Sequence, residues 1–196
     1  MELLGEIYLT NIYIGIDPSI NGNAFALLDP EHNILIPHKF NVKTGSKDWI
    51  DKLRLNFIDF SVFISAMAAI DIHHASVKPF IVVEQPEKQN SAKGKHAYET
   101  NKYVKLCAAF GATIVGIGQY MHPKLHTLWT PTPSQWKGQV PKAITQKRML
   151  RNYGHWHPAL ESKTHDEFDA LGLADWAYAK NEPLSHRELA KTGNDS

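Results

Sequence analysis

Alternating and β-branched apolar positions near the N-terminus predict three successive strands. The first runs from Ile12 to Asp17 and stops at a proline. After the tight-turn pair Asn21-Gly22, large and small apolar side chains alternate until Asp29, which predicts a second strand. A third apolar run starts at Ile34. We therefore expect a three-stranded meander in this part of the chain.

A helix and a buried strand are predicted next. Apolar residues recur in steps of three and four from Ile50 to Met67, which is typical of an amphipathic helix that covers one face of a sheet. The run from Phe80 to Val83 is wholly apolar, the pattern of a central strand buried on both faces. This strand leads directly into an acid, Glu84.

The middle of the chain predicts a further helix and strand. We expect a helix from Asn90 to Phe110, with Leu106 and Cys107 among its inward-facing residues and Gly111 as its end. The following run, ATIVGIG, is apolar and β-branched, so we expect it to form a strand.

Two helices complete the predicted pattern. Pro141 suits a first helical turn and Gly154 a helix end, while a last helix starts near His165, where Thr164 and Glu167 have the spacing of a capping box. Strands and helices in this order indicate an α/β sandwich with a mixed sheet. We expect one domain over residues 1–180 and a polar, flexible C-terminal tail over residues 181–196.

Composition narrows the class of protein. A chain of 196 residues with 43% hydrophobic content can bury one substantial core. It has no apolar run long enough for a membrane span, no signal-peptide pattern, and a single cysteine, so we expect a soluble, cytoplasmic protein without membrane association.

The formal net charge is only +1, but the charges are unevenly distributed. Between Glu99 and Glu161 the chain has no carboxylate, and this basic segment suits a surface for a polyanion, although a solvated run arising by chance is the alternative. Its cations are Lys102, Lys105, Lys124, Lys137, Lys142, Lys147, Arg148 and Arg151.

Carboxylates stand where predicted elements begin or end: Asp17, Glu84, and the pair Asp166 and Asp169. The paired aspartates are three residues apart and share one helical face. If the two strands are neighbours, four acids converge, and such a cluster needs protonation or a bound cation such as Mg²⁺ or Mn²⁺. Two such ions can activate water against a phosphodiester. Individually, Asp17 could start a turn and Asp166 could complement a helix N-terminus.

Three segments resemble RuvC-type Holliday junction resolvases of the RNase H-like superfamily. IGIDPSINGNAFALL resembles their first hairpin, FIVVEQP their glutamate strand and HDEFDALGLADWA their closing helix. The resemblance implies an RNase H-like fold, with a central mixed five-stranded sheet flanked by helices on both faces. It further implies a homodimer that resolves four-way DNA junctions with two Mg²⁺ ions, which Mn²⁺ can replace. The residues implied as catalytic metal ligands are Asp17, Glu84, Asp166 and Asp169.

The segment SQWKGQVPKAITQKRML resembles the region where the family carries lysines near the scissile phosphate. Lys137 and Lys142 are thereby implied as catalytic, DNA-contacting residues. Trp136 could stack on a base or serve in packing. Further predicted nucleic-acid contacts are Lys147, Arg148 and Arg151. His165 corresponds to a histidine in some relatives, and a capping role is the alternative.

The chain departs from the family at one point, since no aromatic residue closely follows Glu84. Flap or other branched DNA and RNA–DNA hybrids therefore remain alternative substrates. Two further alternatives are a non-catalytic nucleic-acid-binding module and an actin-like phosphate-binding protein, which normally needs two lobes where this chain has the length for one.

Overall fold

A computed structural model describes residues 10–40, 48–73, 77–87, 102–121, 127–138 and 140–182, except for the side chains of 10 and 66–73. These residues form five strands and five α-helices, in an order typical of an α/β protein. One 3₁₀ turn, Leu160–Ser162, precedes the helix that begins at His165. The strands are β1 Thr10–Asp17, β2 Ala24–Asp29, β3 Ile34–Lys39, β4 Val77–Val83 and β5 Thr127–Trp129. The helices are α1 Trp49–His73, α2 Lys102–Tyr120, α3 Pro133–Trp136, α4 Lys142–Tyr153 and α5 His165–Asn181.

The strands form one mixed sheet in the order β3-β2-β1-β4-β5. The predicted meander β1-β2-β3 is antiparallel, whereas β4 is parallel to β1 and β5 is parallel to β4. Ile16 on β1 pairs with Val83 on β4. Because β1 and β4 run in the same direction, the residues that end them, Asp17 and Glu84, meet at one edge of the sheet.

Helices cover both faces of the sheet, as predicted. On one face, Tyr13 and Val82 belong to a core that includes residues of α4 and α5. On the other face, Ile14 and Ile16 belong to a core that includes residues of α1 and α2. Successive β1 side chains thus enter opposite cores, as the two-residue period of a strand requires. We call these the α5 face and the α1/α2 face.

Helix α5 crosses β1 directly above Gly15. A Cβ atom at this position would lie 1.9 Å from the Ala170 carbonyl oxygen and 2.7 Å from the Ala174 nitrogen. Only the hydrogen of glycine fits such a backbone approach. The crossing holds the first turns of α5 over the end of β1.

The predicted strand ATIVGIG is wrong, because these residues belong to α2. The helix continues past Gly111, where an added Cβ would meet no atom within 4 Å, and buries Ala109, Thr113, Gly116 and Ile117 at helical spacing. An apolar β-branched run is compatible with a strand or a buried helix, and here packing against α1 decides in favour of the helix. The fifth strand is Thr127–Trp129 instead.

Two predicted inward-facing residues of this helix are also misplaced. Leu106 is 41% exposed, and Cys107 is exposed as well. The predicted helical residues 90–101 lie outside the described residues, as do residues 183–196 of the predicted tail. Within the described part of the chain, no helix combines the length and apolar character that crossing a membrane requires.

Candidate active site

Four acidic side chains lie at the edge of the sheet where β1 and β4 end. Asp17 is the last residue of β1. Glu84 follows β4, and its backbone N–H donates a 3.0 Å hydrogen bond to the Ile16 carbonyl. Asp166 and Asp169 lie in the first turns of α5, whose capping box of Thr164 and Glu167 forms as predicted. The glutamate between the two aspartates is therefore engaged in the cap.

Mutual repulsion shows that these carboxylates share one environment. Burial, followed by the charges of Glu84, Asp169 and Asp166, raises the pKa of Asp17 well above its usual range. Burial also raises the pKa of Glu84; Lys137 and a hydrogen bond from Trp136 oppose this rise, and the charge of Asp169 adds to it. The cluster thus holds more negative charge than the fold alone accommodates easily.

The two lysines predicted at the active site lie beside the acids. The Lys137 Nζ atom is 3.6 Å from the Glu84 Oε2 atom and 3.4 Å from the Asp169 Oδ2 atom. The Lys142 Nζ atom is 2.9 Å from the same Asp169 oxygen. Burial lowers the pKa of Lys142, but the hydrogen bond and charge of Asp169 outweigh burial and raise it overall. Both cations therefore balance the cluster electrostatically.

A third lysine, Lys39, was not among the predicted site residues. Its Nζ atom lies 2.5 Å from the Asp166 Oδ2 atom. In the register of the sheet, Lys39 on β3 lies opposite Ala24 on β2, and Ala24 lies opposite Asp17 on β1. Paired residues of neighbouring strands point to the same face. The hairpin register is the sequence signal that places Lys39 in the row of Asp17.

Trp136 holds Glu84 and packs on α5. Its indole Nε1–H donates a 2.7 Å hydrogen bond to the Glu84 Oε2 atom. Its ring lies so close to Gly172 that a Cβ atom there would be 2.6 Å from the Trp136 Cζ3 atom. These contacts favour the packing interpretation of Trp136 over base stacking. The hydrogen bond from the indole N–H to Glu84 was not predicted from the sequence.

The short helix α3, which carries Trp136, is fastened to the chain that follows β4. The Ser134 backbone N–H and hydroxyl donate hydrogen bonds of 3.0 and 2.7 Å to the Glu87 carboxylate. The Gln85 backbone N–H donates to the Pro131 carbonyl at 2.9 Å. Residues 84–87 and α3 thus form one unit, which fixes the position of Glu84 relative to Lys137.

The chemistry of the acids fits a hard divalent cation. Four carboxylates from three elements supply only oxygen atoms, which suit Mg²⁺ or Mn²⁺, and their mutual repulsion would be relieved by such an ion. In this structure, a lysine ammonium group lies within 3.6 Å of a carboxylate oxygen of each of three acids, Glu84, Asp166 and Asp169. Among the described residues, no group of three or more His, Cys, Asp or Glu side chains is arranged to hold a metal ion.

The basic segment does not form one surface. Lys102 and Lys105 belong to α2 on the α1/α2 face, and the Lys105 Nζ atom lies 5.9 Å from the Trp49 ring centroid. Lys147, Arg148 and Arg151 are exposed on α4, on the α5 face, and the Arg148 Nη2 atom is 3.7 Å from the Asp175 Oδ2 atom. Lys124 lies outside the described residues. His165 is the exposed first residue of α5 and neighbours the capping Thr164.

Comparison with known proteins identifies the fold. No protein-family model and no curated protein matches the chain. A Thermus thermophilus RuvC structure is 18% identical, with a TM-score of 0.52 over 86% of this chain and 95% of that one. T. thermophilus RuvC in complex with a Holliday junction substrate is 16% identical, with a TM-score of 0.52 over 86% and 94%. The human cytomegalovirus terminase nuclease domain is 8% identical, with a TM-score of 0.46 over 93% and 88%. On the two RuvC superpositions, the chain has the predicted RNase H-like fold.

Proposed function

We propose that this protein is a metal-dependent endonuclease that resolves four-way DNA junctions. The observation that carries the proposal is the convergence of Asp17, Glu84, Asp166 and Asp169 at one sheet edge, with lysines beside them. A carboxylate cluster next to ammonium groups suits phosphodiester hydrolysis, which needs metal ligands and cations that stabilise charge on the phosphate. The solved T. thermophilus RuvC in complex with a Holliday junction has the same fold and supports the choice of substrate.

The four acids would hold two Mg²⁺ or Mn²⁺ ions, which when bound supply an activated water and stabilise the leaving oxygen. Trp136 orients Glu84 through its indole hydrogen bond. Lys137 and Lys142 are placed to stabilise the charge that grows on the scissile phosphate, a role that raises turnover more than affinity.

The exposed cations of α4 are the proposed binding surface for the DNA backbone. Lys147, Arg148 and Arg151 lie on the helix that begins with Lys142, so a strand held on α4 would lead into the site. Phosphate contacts of this kind fix the position of the duplex without reading its sequence. The proposed nuclease domain covers residues 1–180, with residues 181–196 as its tail. The first two residues of that tail pack with the domain, because the Asn181 amide donates to the Tyr13 hydroxyl at 2.9 Å and this hydroxyl donates to the Glu182 carboxylate at 2.9 Å.

Helix α2 is the proposed homodimer surface. Val104 and Val115, which share one face of this helix, are 53% and 54% exposed. An added Cβ at Gly111 or Gly118 would meet no atom within 4 Å, so a second helix could approach closely here. A homodimer would present two sites to the two strands that junction resolution must cut. A Val115→Glu variant should sediment as a monomer if this surface forms the dimer.

The decisive experiment is cleavage of labelled four-way junction, flap, duplex and RNA–DNA hybrid by the purified protein. Mg²⁺ and Mn²⁺ should support symmetrical cutting of the junction, whereas Ca²⁺ should support binding with little cutting, because its longer and looser coordination positions water poorly. Preferred cutting of the flap or hybrid would replace the junction with that substrate. Full activity in EDTA would contradict the metal-dependent mechanism altogether.

A further inference from the structure

Lys39 differs from the other cations of the site in where it comes from. Lys137 and Lys142 belong to the segment around α3 and α4, whereas Lys39 ends β3 at the edge of the sheet. It pairs with Asp166, which, like Asp17, neither of the other lysines contacts among the ion pairs of the described residues. Lys39 is thus the cation that pairs directly with Asp166 among the described ion pairs.

The residue opposite Lys39 on the neighbouring strand determines the path of the Lys39 side chain. Ala24, its partner on β2, is fully buried, and its single methyl group leaves room for a longer side chain to cross above it. The Lys39 side chain is 22% exposed, so most of its stem is covered while its ammonium group reaches α5. A lysine on an edge strand normally extends into solvent, but this one is directed across its neighbour towards the acids.

We propose that Lys39 is an internal counterion that occupies Asp166 in the metal-free protein and is displaced when a divalent cation binds there. The proposal rests on the proposed metal-dependent function, because it concerns the same carboxylates. One Asp166 oxygen cannot pair closely with an ammonium group and also ligate a metal ion without strong repulsion between the two cations. The displaced ammonium group would remain tethered at the mouth of the site, where it could contact a DNA phosphate.

Two measurable consequences follow from competition for one carboxylate. Removing the internal cation should strengthen metal binding, because Mg²⁺ then meets no competitor. It should also destabilise the metal-free protein, because the acidic cluster loses one of its balancing charges. A residue with a purely structural role would lower stability without improving metal affinity.

The experiment is titration of Mg²⁺ and Mn²⁺ into metal-free protein by isothermal calorimetry, without DNA. Lys39→Met keeps the length of the stem and removes the charge, and Lys39→Arg keeps the charge. We expect the Met variant to bind metal about fivefold more tightly or better, and the Arg variant to restore the wild-type affinity. Melting in EDTA should show a Tm lower by about 2–4 °C for Lys39→Met.

Lys163, which lies just before α5, provides a matched control because it contacts the same two elements, β3 and α5. Its side chain is 24% exposed, its Nζ atom lies 3.4 Å from the Glu167 Oε1 atom, and it donates to the Pro37 carbonyl. Lys163→Met should lower Tm as well, but it should leave metal affinity unchanged. Equal metal affinity of wild type and Lys39→Met would overturn the counterion proposal alone. Failure of the wild-type protein to bind either metal ion would overturn both this proposal and the proposed function.

Discussion

The two faces of the sheet use different polar chemistry. On the α5 face, acids and lysines are paired as ions, and burial and mutual repulsion raise the pKa values of Asp17 and Glu84. On the α1/α2 face, the buried polar groups include a neutral network. The Asn56 amide donates to the Asn23 Oδ1 atom at 3.0 Å and to the Ser19 carbonyl at 2.6 Å, and the Asn23 amide donates to the Thr113 hydroxyl at 3.2 Å.

The neutral network stabilises the fold, whereas the charged cluster is the proposed site of catalysis. The neutral network ties the turn after Asp17 to α1 and α2, because the Ser19 backbone N–H also donates to the Asn23 Oδ1 atom at 3.0 Å. Fully satisfied buried hydrogen bonds rigidify a structure. The α5 face, by contrast, concentrates like charges that a ligand can relieve. Damage to the α1/α2 face should therefore lower stability, and damage to the charged site should lower catalysis.

The largest effect is expected at the acids. Asp17→Asn, Glu84→Gln and Asp169→Asn should each lower junction cleavage about a thousandfold, or roughly 4 kcal/mol of transition-state stabilisation. Junction binding should persist, and folding stability should not fall for Asp17→Asn, because its carboxylate is repelled by three neighbours. Single-turnover cleavage and denaturant unfolding measure the two quantities. A variant with near-normal turnover would remove that residue from the proposed site.

The next effect tests the crossing of α5 over β1. Gly15→Ala should destabilise the fold by about 3 kcal/mol or more, because the new methyl group would meet backbone atoms that cannot rotate away. Gly116→Ala is the control on the opposite face, where the added methyl group would lie 3.5 Å from the rings of Phe57 and Phe60, an ordinary contact distance, and should change stability by less than about 1 kcal/mol. Urea unfolding would show both changes. Equal stability of the two variants would contradict the close crossing.

A smaller loss is expected in the neutral network. Asn56→Ala should lower the free energy of unfolding by about 2 kcal/mol, because the buried Asn23 amide group and backbone N–H lose partners. Ser65→Ala, at an exposed position of the same helix, should change it little. Cleavage by Asn56→Ala should stay near the wild-type rate at a temperature where the variant is folded. A thousandfold loss of turnover would show that the two faces are not separate in function.

The smallest effect is expected in the basic segment, where junction binding should depend on the cations of α4 and not on those of α2. Neutralising Lys147, Arg148 and Arg151 together should weaken junction binding and flatten its salt dependence by about 0.9 per lost phosphate contact. Neutralising Lys102 and Lys105, on the opposite face, should leave the slope unchanged. Junction affinity measured against salt concentration decides between them. A change confined to the α2 pair would place the DNA on the α1/α2 face.

The sequence predicted the parts of the fold that have local signals. Strand ends, the capping box of Thr164 and Glu167, and acids at element ends are all visible in a few neighbouring residues. Helix α2 was mispredicted because its β-branched run has no local feature that distinguishes a strand from a buried helix. What decides is distant in sequence: an added Cβ at Gly116 would lie 3.5 Å from the rings of Phe57 and Phe60 on α1.

The same distinction applies to the site. Asp17 and Glu84 could be singled out because a carboxylate after an apolar strand is conspicuous, and Asp166 and Asp169 because their spacing places them on one helical face. Lys39 was not, because a lysine at the end of an edge strand is indistinguishable from a solvated one until the register of the meander and the path of α5 are known. The hydrogen bond from Trp136 to Glu84 likewise depends on α3 being packed against Gly172.

The crossing of α5 over Gly15 also sets when the site can exist during synthesis. Asp17 and Glu84 leave the ribosome first, whereas Asp166 and Asp169 arrive on the last described helix, because chains emerge from their N-terminus. A nascent chain that has β1 and β4 but not α5 carries half of the acids. Both halves of the proposed metal site are therefore present only after α5 has been synthesised, and assembly of that site is delayed until α5 docks.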